Sequence, residues 1–445
     1  MSNEARRTAP ESDLDAFLGD VRNKLDNGLV PLEIHNDEAV YDAEVDRIFG
    51  NGWLFVGHTD EIPEPGDYVS RTVGDDPFVL VRDDDGHVRV FFNSCRHRGA
   101  KVCRSEKGNA SHFRCPYHAW TYDNSGDVVG IPRVNEGYRH LDPQTKSLHE
   151  PPNVAEYEGM VFLSMDPDAP PLEEYLGDYT WYLDGVFELF DWEVVGDPHR
   201  WEVDANWKIP AENTADAYHV YITHKSAMEA NISPTYADED ISNESLAFTD
   251  LGGHLFNLHL IERRDSLLEE MAHLERVSEN QYEIFTRTSV LVGTIFPNFT
   301  FILLTSYNYG GKESVPSLCL RQHKPIGPDR FEYVVWILVP EGLSEAQKQR
   351  SYEIGMGIHG DSGTFVADDI AVWDGITEAG GSTFAQKNDL SLDYTMGQDG
   401  DSEVKESWPG PGTAYTAGEM TDVNQLEFFE DWLSMMERGT LDRGR

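Results

Sequence analysis

Two short cysteine–histidine pairs constrain this chain more than any other feature. Cys95-Arg96-His97 is followed, after 17 residues, by Cys115-Pro116-Tyr117-His118. Each arm offers one thiol and one imidazole, so a fold that uses them must turn two loops toward each other. The other cysteines are Cys103 and Cys319, and four in 445 residues are far too few for a disulfide scaffold. Three of the four fall within 21 positions, a clustering that reads as metal binding. Cys103 lies outside the spacing and reads as a small buried residue, and Cys319 alternates within a strand.

The donor set narrows the metal. Structural zinc sites pair Cys with Cys and His with His at close spacing. Here each close pair is mixed. A Rieske-type [2Fe–2S] cluster needs two Cys on one iron and two His on the other, which two such loops supply by closing from both sides. Neutral imidazole in place of thiolate raises the potential of the cluster. Arg98-Gly99, Pro116 and Trp120 suit loops that shield it. A zinc-stabilised binding module is the competing reading of the same four residues.

Texture along the chain divides it into three parts. Residues 11–28 suggest an amphipathic helix carrying Leu14, Phe17, Leu18, Val21 and Leu25, and a second places Val45, Ile48 and Phe49 on one side. From about residue 53 the pattern turns to strands, with a hairpin signal in FVLVRDDDGHVRVFF and a buried strand in MVFLSM. PDAPPLEEYL then reads as a linker into a helix. Beyond it lie strands of an antiparallel sheet (NFTFILLTSYNY, SLCLRQHKPI, FEYVVWILVP) and helices in SEAQKQRSYEIG, TFVADDIAVWDGI and NQLEFFEDWLSMMER. The expected organisation is α+β: N-terminal helices over 1–47 packing on a catalytic domain, an all-β domain over 48–165, and a larger domain over 166–445.

Charge limits the partners and the setting. Eighty acidic against 35 basic residues give −45, spread along the whole chain. Such a field repels nucleic acid and anionic membranes. No apolar run is long enough to span a bilayer, and the N-terminus lacks the order of a secretory signal. Self-repulsion of this size is relieved by concentrated salt. The expectation is a cytoplasmic protein in a salt-rich cytoplasm, as in extreme halophiles.

A second constellation lies in NWKIPAENTADAYHVYITH. On one continuous helix Glu212, Asp216 and His219 share a face. His224, five positions past His219, would point about 140° away. Both histidines reach one metal only if the helix opens between them, and Val220, Tyr221, Ile222 and Thr223 are weak helix formers. Two His and one carboxylate on one face leave positions free, as in non-haem Fe(II) oxygenases. Glu229, Asp368 and Asp369 are candidates for the carboxylate, the last two at the edge of an apolar helix face. Spacing alone leaves Asp368 and Asp369 open.

With both constellations in view, the chain resembles the large (α) subunit of Rieske non-haem iron aromatic ring-hydroxylating dioxygenases. The resemblance runs from FGNGWLFVGHTDEIPEPGDYV through NSCRHRG and CPYHAW to AENTADAYHVYITH, FPNFTFI, FVADD and NQLEFFEDWLSMM. It implies an all-β Rieske domain followed by a helix-grip catalytic domain. His219, His224 and Asp369 would ligate the mononuclear iron. Asp216 would bridge His219 to His118 of a neighbouring subunit. Asn213, Ala217, Val220 and Phe365 match positions near the substrate pocket. Ala119 stands where the family often has Gly. The implied enzyme is a homotrimer or an α3β3 assembly with a small subunit. It would take electrons from NAD(P)H through a reductase, with or without a ferredoxin, and add O2 to an aromatic ring to give a cis-dihydrodiol. A Rieske monooxygenase or N/O-demethylase is the near alternative, towards which Asp216 leans less. An electron carrier without oxygenase activity is the distant one.

Overall fold

The computed structural model describes residues 11–229, 244–262, 266–305, 315–398 and 402–438. Contacts divide the chain into two compact units. One is Phe49–Ala169; the other joins Met1–Ile48 to Pro170–Arg445.

The Phe49–Ala169 unit is built from short antiparallel strands in three small sheets. A four-stranded sheet runs in the order Val88–Phe92, Asp76–Arg82, Asp67–Val73, Lys107–Asn109. Its first hairpin is tied by Asp83, whose carboxylate accepts the backbone N–H of Asp85 (3.0 Å) and of His87 (2.8 Å). This is how an acidic turn between two apolar runs satisfies its own backbone. A second sheet holds His112–Arg114, Thr121–Asp123 and Val128–Gly130. The third pairs Leu54–His58 and Asn153–Tyr157 with Met160–Ser164, whose five residues are all buried. One core cluster, including Val79, Val81, Phe91, Phe113, Trp120 and Tyr122, also contains Cys95, Cys103 and Cys115.

The second unit is dominated by a nine-stranded antiparallel sheet. Its centre is formed by Leu255–Leu260, Thr288–Ile295, Phe299–Leu304, Ser317–Gly327 and Arg330–Pro340. Helix Glu345–His359 packs on the last two of these strands. Helix Thr364–Gly380 follows directly and packs against it. The terminal helix Val423–Glu437 buries Leu426, Phe428, Phe429, Trp432, Leu433, Met435 and Met436, and sits against the Glu244–Thr249 and Leu255–Leu260 strands. The N-terminal helix Glu11–Leu25 packs on that terminal helix through Leu18, Val21 and Leu25. The architecture is therefore an all-β domain plus an α+β domain whose antiparallel sheet grips a helix. Among the described residues, no helix is long and apolar enough to cross a membrane.

One local expectation fails. Helix Lys208–Asn213 does not continue through Asp216, so Glu212, Asp216 and His219 share no continuous helix. The expected opening at Val220–Thr223 is also absent, since those residues form a helical turn. The break falls earlier, over residues 214–219, where the Asp216 carboxylate accepts the N–H of Tyr218 (2.8 Å) and of His219 (3.3 Å) and so satisfies a turn that competes with the helix.

Candidate metal centres and substrate cavity

The two cysteine loops of the β unit share one backbone design. Cys95 N–H donates to Ala100 O, and Gly99 N–H returns to Cys95 O, both at 2.9 Å. Cys115 N–H donates to Trp120 O (2.8 Å) and Ala119 N–H to Cys115 O (3.0 Å). The fourth residue after each cysteine is left-handed: Gly99 at φ +74° and Ala119 at φ +58°. Each loop thus points its cysteine inward and its histidine outward. Cys95 and Cys115 are buried, whereas His118 is exposed and His97 half-exposed.

The donors pair off, thiol with thiol and imidazole with imidazole. His97 Nδ1 and His118 Nδ1 face each other at 3.1 Å. The outer nitrogen of His97 meets the Tyr138 hydroxyl at 3.3 Å, and its ring stacks on Trp120 at 5.1 Å and 4°. Tyr122 OH accepts from Arg96 N–H (3.0 Å) and lies 3.4 Å from Cys95 Sγ. Burial pushes the Cys115 thiol above its ordinary range, so a thiolate there calls for a cation. Two inward thiols and two facing Nδ1 atoms at the rim fit a cluster whose histidine-bound iron lies nearer the surface.

In the larger unit, His219 and His224 flank the short helix Val220–Thr223, and Asp369 arrives from helix Thr364–Gly380. Their ligand atoms all lie within 4.8 Å of one another. Asp369 Oδ1 is 3.5 Å from His219 Nε2 and 3.2 Å from His224 Nε2. That oxygen is buried and has no hydrogen-bond partner, which is costly unless a cation occupies the space. Asp368 approaches the other nitrogen of His224 at 3.5 Å, with about a third of its side chain exposed. The His224 ring stacks on Phe365 (4.1 Å, 8°). Asp216 Oδ2 lies 3.1 Å from His219 Nδ1, fixing the tautomer whose Nε2 faces Asp369. Burial lowers the basicity of His219, but Asp216, by hydrogen bond and charge, and the charge of Asp369 outweigh it and raise its pKa.

A cavity opens beside these residues. Asn213, Ala217, Val220 and Phe365 line it, as do Asp216, His219, His224 and Asp369. Sequence reasoning missed the rest of the wall. Val290, Val292, Ile302 and Leu304 come from two neighbouring strands, and each pair is spaced by two, so period-2 alternation marked a shared face. It also missed Asn257, His259, Arg321 and His359. A charged residue inside the apolar run SLCLRQH was the signal for Arg321. Glu229, the weakest carboxylate candidate, is not in the metal group.

Comparison with known proteins gives the family. Residues 52–157 match the Rieske [2Fe-2S] domain, and residues 172–404 match the ring hydroxylating alpha subunit (catalytic domain). The chain belongs to the family of Rieske oxygenase α subunits, and its cofactors are a Rieske [2Fe–2S] cluster and a mononuclear iron, reduced through a reductase. It is 33% identical over 440 residues, 95% of each chain, to an N,N-dimethyl phenylurea N-demethylase subunit alpha of Sphingobium sp.. It is 30% identical over 398 residues to the large oxygenase component of a naphthalene 1,2-dioxygenase system of Pseudomonas aeruginosa, spanning 85% of each. The crystal structure of naphthalene 1,2-dioxygenase from Rhodococcus sp. bound to indole matches with a TM-score of 0.87 and 38% identity over 98% of both chains.

Proposed function

We propose that the chain is the oxygenase component of a multicomponent aromatic ring-hydroxylating dioxygenase. It adds O2 to an aromatic ring to give a cis-dihydrodiol, with electrons from NAD(P)H through a reductase or ferredoxin. Cys95, His97, Cys115 and His118 hold the cluster. His219, His224 and Asp369 hold the iron. When bound, the cluster supplies single electrons and the ferrous ion supplies oxygen activation.

The chain's own residues do the rest. Asp216 holds the Nδ1 proton of His219 and thereby its ring orientation. From the same position it serves as the bridge to His118 of a neighbouring copy in a homotrimer or an α3β3 assembly. Exposed His118 beside buried cysteines is the arrangement such a transfer needs. Val290, Val292, Ile302, Leu304 and Phe365 offer an apolar wall to a flat ring and exclude water. The single observation that carries the reading is the 2-His-1-carboxylate group opening onto that largely apolar cavity.

The second reading, N-demethylation, is favoured by the Sphingobium relative, whose match spans nearly the whole chain. The test is product analysis with the reconstituted reductase chain on naphthalene and on an N,N-dimethyl phenylurea. A cis-dihydrodiol with both oxygen atoms from 18O2 supports dioxygenation. Release of formaldehyde with no diol from either compound overturns it.

A further inference from the structure

Arg321 is a buried cation that the site described so far does not use. It lies on strand Ser317–Gly327, is about 5% exposed, and lines the cavity. One guanidinium nitrogen, Nη2, donates to His359 Nδ1. Its Nε is buried without a hydrogen-bond partner. No carboxylate lies within 4.0 Å of it among the described residues. Asp369 is the carboxylate whose charge reaches it, and in the reading above that charge belongs to the iron. Cys319 and Tyr333 are its other polar neighbours.

His359 is the neutral partner of that guanidinium. Its Nδ1 accepts from Arg321, so the neutral ring carries its proton on Nε2. That Nε2 is buried and has no partner, and His359 also lines the cavity. A guanidinium without a carboxylate partner and the histidine bonded to it therefore both stand in the wall of a largely apolar pocket. A buried guanidinium whose hydrogen bonds go only to neutral groups is unfavourable, and so is a buried imidazole N–H without an acceptor. A pocket built only for a hydrocarbon gains nothing from either.

We propose that Arg321, positioned by His359, determines specificity, and that the substrate carries an acyl oxygen, as a carboxylate or a carbonyl, which the cavity-lining guanidinium receives. A planar guanidinium fixes such a group and so the ring attached to it. This deepens the proposed function and rests on it for the identity of the cavity.

The test is binding of three matched probes to the iron-loaded enzyme without oxygen: naphthalene, 2-naphthamide and 2-naphthoate. At least one acyl probe is expected to bind about 10-fold or more tighter than naphthalene, one well-made donor pair being of that order. The better of the two names the acyl group. Arg321→Met should abolish that preference, bringing the acyl probe to within about 3-fold of naphthalene in the same variant, a difference of under 1 kcal/mol. Should that variant not fold, Arg321→Lys keeps the cation without the fork and should lose most of the preference. Equal binding of all three probes by the wild type overturns the proposal, as does a preference that survives either variant. Turnover is not required, so a failed binding test and a failed diol assay remain distinct results.

Discussion

At the scale of single residues, function turns on how side chains are aimed. Asp216 does two things at once: it holds the turn before the short helix through backbone N–H groups and orients His219 through its other oxygen. Asp216→Ala should leave both metals bound yet lower turnover by roughly 100-fold, at the upper end for loss of a residue orienting a metal ligand. Iron content, the Rieske EPR signal and product formation together check this, and full activity in a metal-replete preparation overturns the bridging role. The donor types and Asp216 were legible in the sequence. The aim of Asp369 was not derivable from spacing, because neighbours on a helix point about 100° apart and nothing local says which turns inward.

At the scale of elements, two buried groups of charges show what holds the catalytic unit together. Glu44, on helix Glu38–Arg47, accepts from Trp207 Nε1 (2.8 Å), Lys208 Nζ (2.6 Å) and Trp432 Nε1 (2.7 Å). Glu44 and Lys208 have fully buried side chains, and the contacts tie three helices from distant parts of the chain. Glu44→Ala leaves a buried ammonium and two indole N–H groups unpaired. It should destabilise by about 3–5 kcal/mol in urea denaturation. On helix Val423–Glu437, burial and the neighbouring Asp431 raise Glu427 to about 8. The folded state then holds a proton that the unfolded chain loses above its ordinary value of 4.5. Stability from this group is full below pH 4.5 and declines as pH rises toward 8. Glu427→Gln, which keeps an acceptor for one of the N–H groups of Asp250 and Leu251 that Oε2 and Oε1 now receive separately, should raise Tm at pH 8 relative to its effect at pH 4.5. Neither group stood out among 80 acidic residues.

At the scale of the whole molecule, the proposed assembly and the charge make separate demands. If the cluster of one copy serves the iron of another, two inactive variants should rescue each other. Mixed oligomers of His118→Ala and Asp369→Ala, formed by co-expression, should recover activity that neither shows alone. Absence of recovery in verified mixed oligomers counts against transfer between copies. A net charge of −45 predicts that Tm climbs as KCl rises from about 0.1 M to about 1 M, where the screening length shrinks from about 10 Å to about 3 Å. A flat profile of Tm against KCl removes the salt-rich cytoplasm from the proposal.

What the sequence determined by itself was the chemistry available. Cys95, His97, Cys115 and His118 announced a mixed-donor cluster because thiol and imidazole alternate at fixed short spacing within two loops. His219 and His224 suggested a second metal only on condition of a break in the helix, which the fold places elsewhere, and the strand and helix runs followed from periodicity. Tertiary structure alone decided where the helix broke, how Asp369 Oδ1 came to face two imidazoles, and which strands walled the cavity. It also brought Arg321 and His359, 38 positions apart, into one hydrogen-bonded pair. Each of these depends on segments that meet only after folding, and a one-dimensional pattern carries no record of which buried charge lacks a partner.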